Sequence, residues 1–354
     1  MSQMSSFPML FFCRSLSAAL LLLGCVTGAD ACSPAKGAFL EEIAQTSKSC
    51  AHPLCGKIYA TAEPAAEDPK APCPNDQWER LKSSASSAIA SGGVLILGEI
   101  HDNATHHLLQ AAAIDEFART SPTNRTAIVF EQLSDDQQRS IDTFAARRQS
   151  GQTMTVADLK QLVGWHKSRW PDLYDPVFDA VIRGGRPIYA GDVSRAEIMR
   201  AAKGRADALS ADDRKRLALD VPLGQKFDAA SIKEIEGAHC GALPKEAFAG
   251  MAFAQRYRDA HLADAVLRAV QENGSAILVA GTGHARTDRA VPWYIRHRAP
   301  EKKVVSVMFV EVDNERADEE SYIPRDPDGQ PAADFIVFTQ PAERGDPCAK
   351  MRKM

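Results

Sequence analysis

Gly92–Gln110 reads GGVLILGEIHDNATHHLLQ, and its two halves follow different rules. Val94 to Gly98 is a short apolar run after two glycines, the pattern of a strand buried on both faces of a parallel sheet. Glu99, His101 and Asp102 follow at once. Asn103 then suits the N-cap of a helix carrying His106 and His107. Titratable side chains therefore stand where an apolar strand ends, and in a parallel sheet ligands bind outside that end.

The same grammar recurs along the chain. Thr126 to Phe130 is an apolar strand ending on Glu131-Gln132, and Pro187 to Ala190 ends on Gly191-Asp192. Ala276 to Ala280 ends on Gly281-Thr282-Gly283-His284, and Val304 to Val312 and Phe335 to Thr339 complete the set. Helical patterns lie between them, including a long one from about Pro244 to Glu272 with Gly274 past its end. Strands alternating with helices predict an α/β fold with a mostly parallel sheet flanked by helices. Two helical stretches, about 133–172 and 194–264, interrupt the alternation. We expect them to pack together as a smaller inserted helical subdomain over the same edge.

The chain has 354 residues, enough for one large domain or two modest ones at roughly 150 residues each. Its 42 Lys+Arg against 46 Asp+Glu give a net charge of -4 with the basic residues scattered, which argues against a nucleic-acid partner. The N-terminus reads as a secretion signal. Arg14 supplies the positive charge, and Leu16 to Leu23 is an apolar core too short to span a bilayer. Leu22-Leu23-Gly24-Cys25 reads as a bacterial lipobox, making residues 1–25 a signal peptide and Cys25 the lipidated residue, a membrane tether. Ala29-Asp30-Ala31 is a competing cleavage site that would release the chain at Cys32.

Beyond the cut stand Cys32, Cys50, Cys55, Cys73, Cys240 and Cys348. An even number in an exported chain suggests disulfides. Pairing among the first four would leave Cys240 and Cys348 to each other, although sequence alone does not set the connectivity. Zinc is disfavoured for the first four, which contain no C-x-x-C pair. Residues 26–75 read as an irregular, disulfide-rich lead-in with a short strand at Lys57–Ala60. Residues 76–345 read as the α/β domain, and 346–354 as a tail.

Glu99, His101, Glu131, Asp192 and His284 thus arrive at one rim from four strands. In a hydrolase they would be the catalytic set, with Glu99, His101 and His284 holding a divalent metal or the histidines activating water. The plainer reading is a Glu99–His101 hydrogen bond. His106 and His107 are adjacent, so a helix cannot aim both at one point, and either alone suits a surface or capping role. The Gly281-Thr282-Gly283 run lacks the third glycine of a dinucleotide loop, which is Arg286 here. There is no H-E-x-x-H, EF-hand, G-x-S-x-G or C-x-x-C-H pattern. Non-covalent haem remains open, since Tyr or His can serve as its axial ligand. The aromatic stretch Trp165 to Tyr174 offers flat walls for it, or else ordinary packing between helices and sheet.

GEIHDNATHHLLQ, the FEQ after the second strand, WPDLYDPV, HCGALP, QRYRDAHLADA, AGTGHARTDRAVPWYI and DFIVFTQPAERGDPC, in this order, resemble the ChaN-type haem-binding lipoproteins. These belong to the Tiki/TraB/erythromycin-esterase-like superfamily. The likeness runs from about His52 to Cys348. It implies an exported bacterial lipoprotein of the cell envelope, membrane-anchored and linked to haem and iron uptake. It also implies non-covalent haem with a tyrosine axial ligand, an outer-membrane receptor and a homodimer that encloses the haem. By motif that tyrosine is Tyr174, with Trp165, Trp170, His107 and His284 around the cofactor; Tyr189, Tyr257 and Tyr294 are rivals. The superfamily's G-E-x-H and G-x-x-H motifs fall on Gly98–His101 and Gly281–His284. The sequence departs from the family at Thr282, where an Asn is usual, and near His261-Leu262, where a Met is usual.

Overall fold

The structure is a computed structural model. It describes residues 36–61, 77–123, 125–168, 171–240, 242–345 and 348. The signal peptide, Cys25, Ala29-Asp30-Ala31, Cys32, Cys73 and Trp170 lie outside the described residues.

Among the described residues, seven strands form one sheet: β1 (Ile58–Ala60), β2 (Val94–Glu99), β3 (Ala127–Ser134), β4 (Ile188–Asp192), β5 (Ala276–Gly281), β6 (Val304–Glu311) and β7 (Phe335–Thr339). Their order is β1-β7-β6-β2-β5-β3-β4. The edge strand β1 runs antiparallel to β7, and the other pairings are parallel. The fold is therefore the expected α/β class. From β2 the chain moves to β3 and β4 on one side, returns to insert β5, then crosses to β6 and β7. That reversal beside β2 makes its carboxyl end a topological switch point, the preferred place for a ligand.

Every residue of β2 is buried, which explains its unbroken apolar run. Successive side chains alternate between two cores. Leu95, Leu97, Ile128, Phe130, Ile277 and Val279 face one; Val94, Ile96, Ala127, Val129, Leu278 and Ala280 face the other. The two helical stretches divide the same way. Ile141, Phe144, Leu159 and Trp165 join the first core, while Ala201, Leu209, Leu217 and Tyr257 join the second. They flank opposite faces of the sheet rather than stacking on one another, because each presents an apolar stripe that the nearest sheet face can bury.

Residues expected to be irregular before the first core strand include the helix Ala38–Thr46. Phe39 and Ile43, one turn apart, bury its inner face, and Phe39 packs against Trp78, Phe117 and Phe309. Disulfides join Cys50 to Cys55 and Cys240 to Cys348. Among the described residues, no helix is long and apolar enough to cross a membrane.

Candidate functional site

The site begins with register. Glu99 pairs with Gly281 at the ends of β2 and β5. β3 runs on past Phe130 through an irregularity before Ser134 aligns with Asp192, so Glu131 is carried inward instead of ending the strand. Gly281 has a packing reason to be glycine: a Cβ there would come within 3.0 Å of His101 Nε2. Its backbone N–H donates to Glu131 Oε2 at 2.6 Å.

One half of the rim is built on Glu99. His101 Nδ1 lies 2.9 Å from Oε1, Gln132 Nε2 donates to the same oxygen at 2.8 Å, and the Tyr174 hydroxyl donates there as well. His107 Nδ1 lies 2.9 Å from Oε2. Gln110 Oε1 lies 3.1 Å from the same ring nitrogen. Burial opposes the charge on Glu99, yet hydrogen bonds from His101 and His107 outweigh it and hold the carboxyl near 2. Both ring nitrogens of His107 face acceptors, Nδ1 toward Glu99 and Nε2 toward the His101 carbonyl at 3.1 Å. Burial lowers its proton affinity, but Glu99 leaves it raised overall. The same opposition, with Glu99 and Glu131 prevailing, raises that of His101.

The other half is built on Arg258, a residue of the long helix Lys245–Asn273. Its guanidinium donates to Asp192 Oδ2 at 2.8 and 2.5 Å and to Glu131 Oε1 at 2.7 Å. His284 Nε2 lies 3.2 Å from Glu131 Oε1, and His284 Nδ1 lies 2.7 Å from Asp259 Oδ1. Burial pushes His284 down, but the carboxylates of Glu131 and Asp259 carry it up to about 10. Burial pushes Asp259 up. The halves meet at His101, whose Nε2 is 3.9 Å from Glu131 Oε1.

Glu99, His101, Glu131, Asp192 and His284 are thus brought together. Arg258, Asp259 and Gln132 complete the lattice and were not expected. Gln132 stands beside an expected residue. Arg258 and Asp259 lie mid-helix within QRYRDAHLADA, where their own sequence signal is charge among small and apolar residues. His106 and His107 are fully buried, so neither is a surface residue. Capping falls to Asn103, whose side chain accepts from the backbone of Thr105 and His106. His106 accepts from the Ile100 N–H at 2.9 Å and lies 2.8 Å from the Thr339 hydroxyl; burial holds it near 3, a neutral ring.

The described residues expected around haem are engaged within the protein. Tyr174 is fully buried, and its hydroxyl is given to Glu99. Burial and the Glu99 charge push its proton affinity up. Tyr189 and Tyr257 are each raised to about 12, chiefly by burial, and burial raises Tyr294 too. Trp165 is not an open wall: it lies edge-on to Tyr174 and Phe178 at 5.5 and 5.0 Å within the core. His107 and His284 have both ring nitrogens committed, as above. The divalent-metal reading of Glu99, His101 and His284 gains no support. Among the described residues, no three His, Cys, Asp or Glu side chains are disposed to hold a metal ion, because each pairs with an oppositely charged neighbour.

The fold and rim define an α/β protein whose carboxyl edge carries a closed lattice of carboxylates, imidazoles and one guanidinium beside a partly exposed histidine. The sequence profile of the family described as "Haem-binding uptake, Tiki superfamily, ChaN" matches residues 86–295. The chain belongs to that family. Among solved structures, ChaN of Campylobacter jejuni, described as binding haem cofacially, is 19% identical with a TM-score of 0.54, covering 75% of this chain and 92% of its own. The type III effector HopBA1 is 11% identical with a TM-score of 0.35, covering 74% of this chain and 92% of its own. A Bacillus cereus protein is 12% identical with a TM-score of 0.33, covering 77% of this chain and 75% of its own. No protein of curated function matches the chain.

Proposed function

We propose that the protein binds haem at the carboxyl edge of its sheet, with the His101 imidazole as axial ligand, and serves haem or iron uptake. The observation that carries the reading is the family match over residues 86–295, the segment holding every rim residue named above. His101 fits the ligand role better than the fully buried Tyr174. Its side chain is 33% exposed while Glu99 beneath it is fully buried. With Nδ1 turned toward Glu99, the Nε2 edge is turned to the rim. Ligating imidazoles commonly donate their second N–H to a carboxylate, which fixes the tautomer and raises basicity. Haem would supply the iron that this nitrogen ligates. Glu99 orients the ring, and His107, Gln132 and Tyr174 hold Glu99.

We further infer export to a bacterial envelope with lipidation at Cys25. The lipobox supports this, and the disulfides Cys50–Cys55 and Cys240–Cys348 suit an oxidising compartment. The hydrolytic alternative is not favoured, because the side chains it needs are committed to one another in ion pairs.

Haemin titration followed by absorbance tests the ligand. Wild type should bind saturably, and His101→Ala should weaken binding and change the spectrum. Glu99→Gln should bind about 10–100-fold more weakly, the usual effect of losing a carboxylate behind a ligating histidine. No saturable binding by wild type would sink the haem reading. An unchanged spectrum in His101→Ala would remove His101 from the role.

A further inference from the structure

A chamber of about 270 Å³ adjoins the His284 end of the rim. Three sequence stretches converge there: His239 from HCGALP, Arg256 and Asp259 from QRYRDAHLADA, and Arg286 and Arg289 from AGTGHARTDRAVPWYI. Leu223, Ile235 and Ala252 supply an apolar wall. The binding scheme above leaves this space unused.

Its charges do not cancel. Arg286 donates twice to Asp288, at 3.0 Å each. Arg289 donates to Asp288 at 2.6 Å and to Glu234. Those two guanidiniums are matched by two carboxylates. The third, Arg256, donates to the Tyr294 hydroxyl at 2.8 Å and to the Val221 carbonyl. Both partners are neutral, since burial keeps Tyr294 a phenol. Asp259, the remaining acid of the lining, is paired with His284. Among the described residues no carboxylate forms an ion pair with Arg256. A half-buried charge without a counter-charge is costly, and a guanidinium fork matches a carboxylate bidentately.

We propose that this chamber is a carboxylate site, in which Arg256 takes the anionic group and the Leu223–Ile235–Ala252 wall takes the apolar body attached to it. Two sources share that chemistry: a carboxylate side chain of bound haem and a small free organic acid. Only the first rests on the haem reading.

Calorimetric titration of the full mature protein with four probes separates them: hexanoate, hexanol, haemin and haemin dimethyl ester. Hexanoate should bind at least roughly tenfold more tightly than hexanol, as expected for hydrogen bonds to a charged group. Arg256→Met should abolish the preference, and Arg256→Lys should keep part of it. Ala252→Leu, which fills the wall without touching any arginine, should weaken acid and alcohol alike. A haemin-over-ester preference that disappears in Arg256→Met assigns the site to haem's carboxylate. Equal haemin and ester affinities beside selective hexanoate binding assign it to a free acid. Selective hexanoate binding with no haemin binding would overturn the haem reading and leave this one standing. The site is overturned if neither acid outbinds its neutral counterpart, or if the preference survives in Arg256→Met. Should Arg256→Met fail to fold, the wild-type acid–neutral comparison and Ala252→Leu decide.

Discussion

The two halves of the rim use the same residue types to opposite ends. Around Glu99 one carboxylate is surrounded by imidazoles, an amide and a phenol, and one ring, His101, reaches solvent. Around Arg258 the members are buried ions locked to one another. Most partners in the first half are groups that can be neutral or can change protonation. In the second, Glu131, Arg258 and His284 are held charged by their neighbours. The first half can therefore trade a proton for a ligand, and the second holds the strand ends in place.

The largest expected effect breaks the second half. Arg258→Met removes the cation shared by Glu131 and Asp192, whose side chains are 6% and 8% exposed. Removing one partner of a buried pair strands the other charge and costs about 3–5 kcal/mol. Urea unfolding should show that loss. A loss below about 1 kcal/mol would mean that the lattice is no clamp.

The halves also differ in pH response. Both His101 and His284 have raised proton affinities. A raised folded value gives stability that is complete below the unfolded value, about 6.5, and is lost as pH climbs through the folded one. For His284 that loss extends to about 10, so the urea midpoint should fall steadily from near neutrality to that pH. His284→Gln should flatten this decline, and an equally steep decline in the variant would assign it elsewhere. Haem binding through His101 has the opposite sign, because a protonated Nε2 cannot ligate. Affinity should rise as pH passes through the raised His101 value, and an affinity that falls over that range would argue against His101.

Much of this contrast was visible in the sequence. The apolar runs place six strands within a residue or two, apart from the carboxyl end of β3, and the strand-end rule gathers Glu99, His101, Glu131, Asp192 and His284. What the sequence concealed came through the long helix. Arg258 and Asp259 stand side by side on it, and Gln255, one turn before Asp259, accepts from Arg258 Nη1 at 3.3 Å. Their spacing alone fits a solvated face as readily as a buried one. Only tertiary packing lays that face across β3 and β4. The surroundings of Tyr174 were hidden for the complementary reason. WPDLYDPV marks an aromatic turn, but its local pattern cannot show that Asp175–Arg183 packs as a helix that aims the hydroxyl inward at Glu99. The division of the helical stretches between two faces was hidden too, since an amphipathic stripe says that a face is buried but not against what.

The smallest expected effect sharpens the comparison most. Tyr174→Phe removes one donor from Glu99 Oε1, while His101 and Gln132 remain on that oxygen. Losing a hydrogen bond to a charged group costs about 1.5–3 kcal/mol, and the remaining donors place this case near the lower end. The ring keeps its contacts with His107 and Trp165, so no cavity opens. If Tyr174 only supports Glu99, the haemin spectrum of the variant should match wild type and its affinity should fall less than that of Glu99→Gln. If the phenol is the ligand, the spectrum changes outright while stability drops by the same modest amount. Spectrum and stability measured on one variant thus separate a residue that positions the carboxylate from one that reaches iron. Glu99→Gln alone cannot do this, because it disturbs His101, His107 and Tyr174 together.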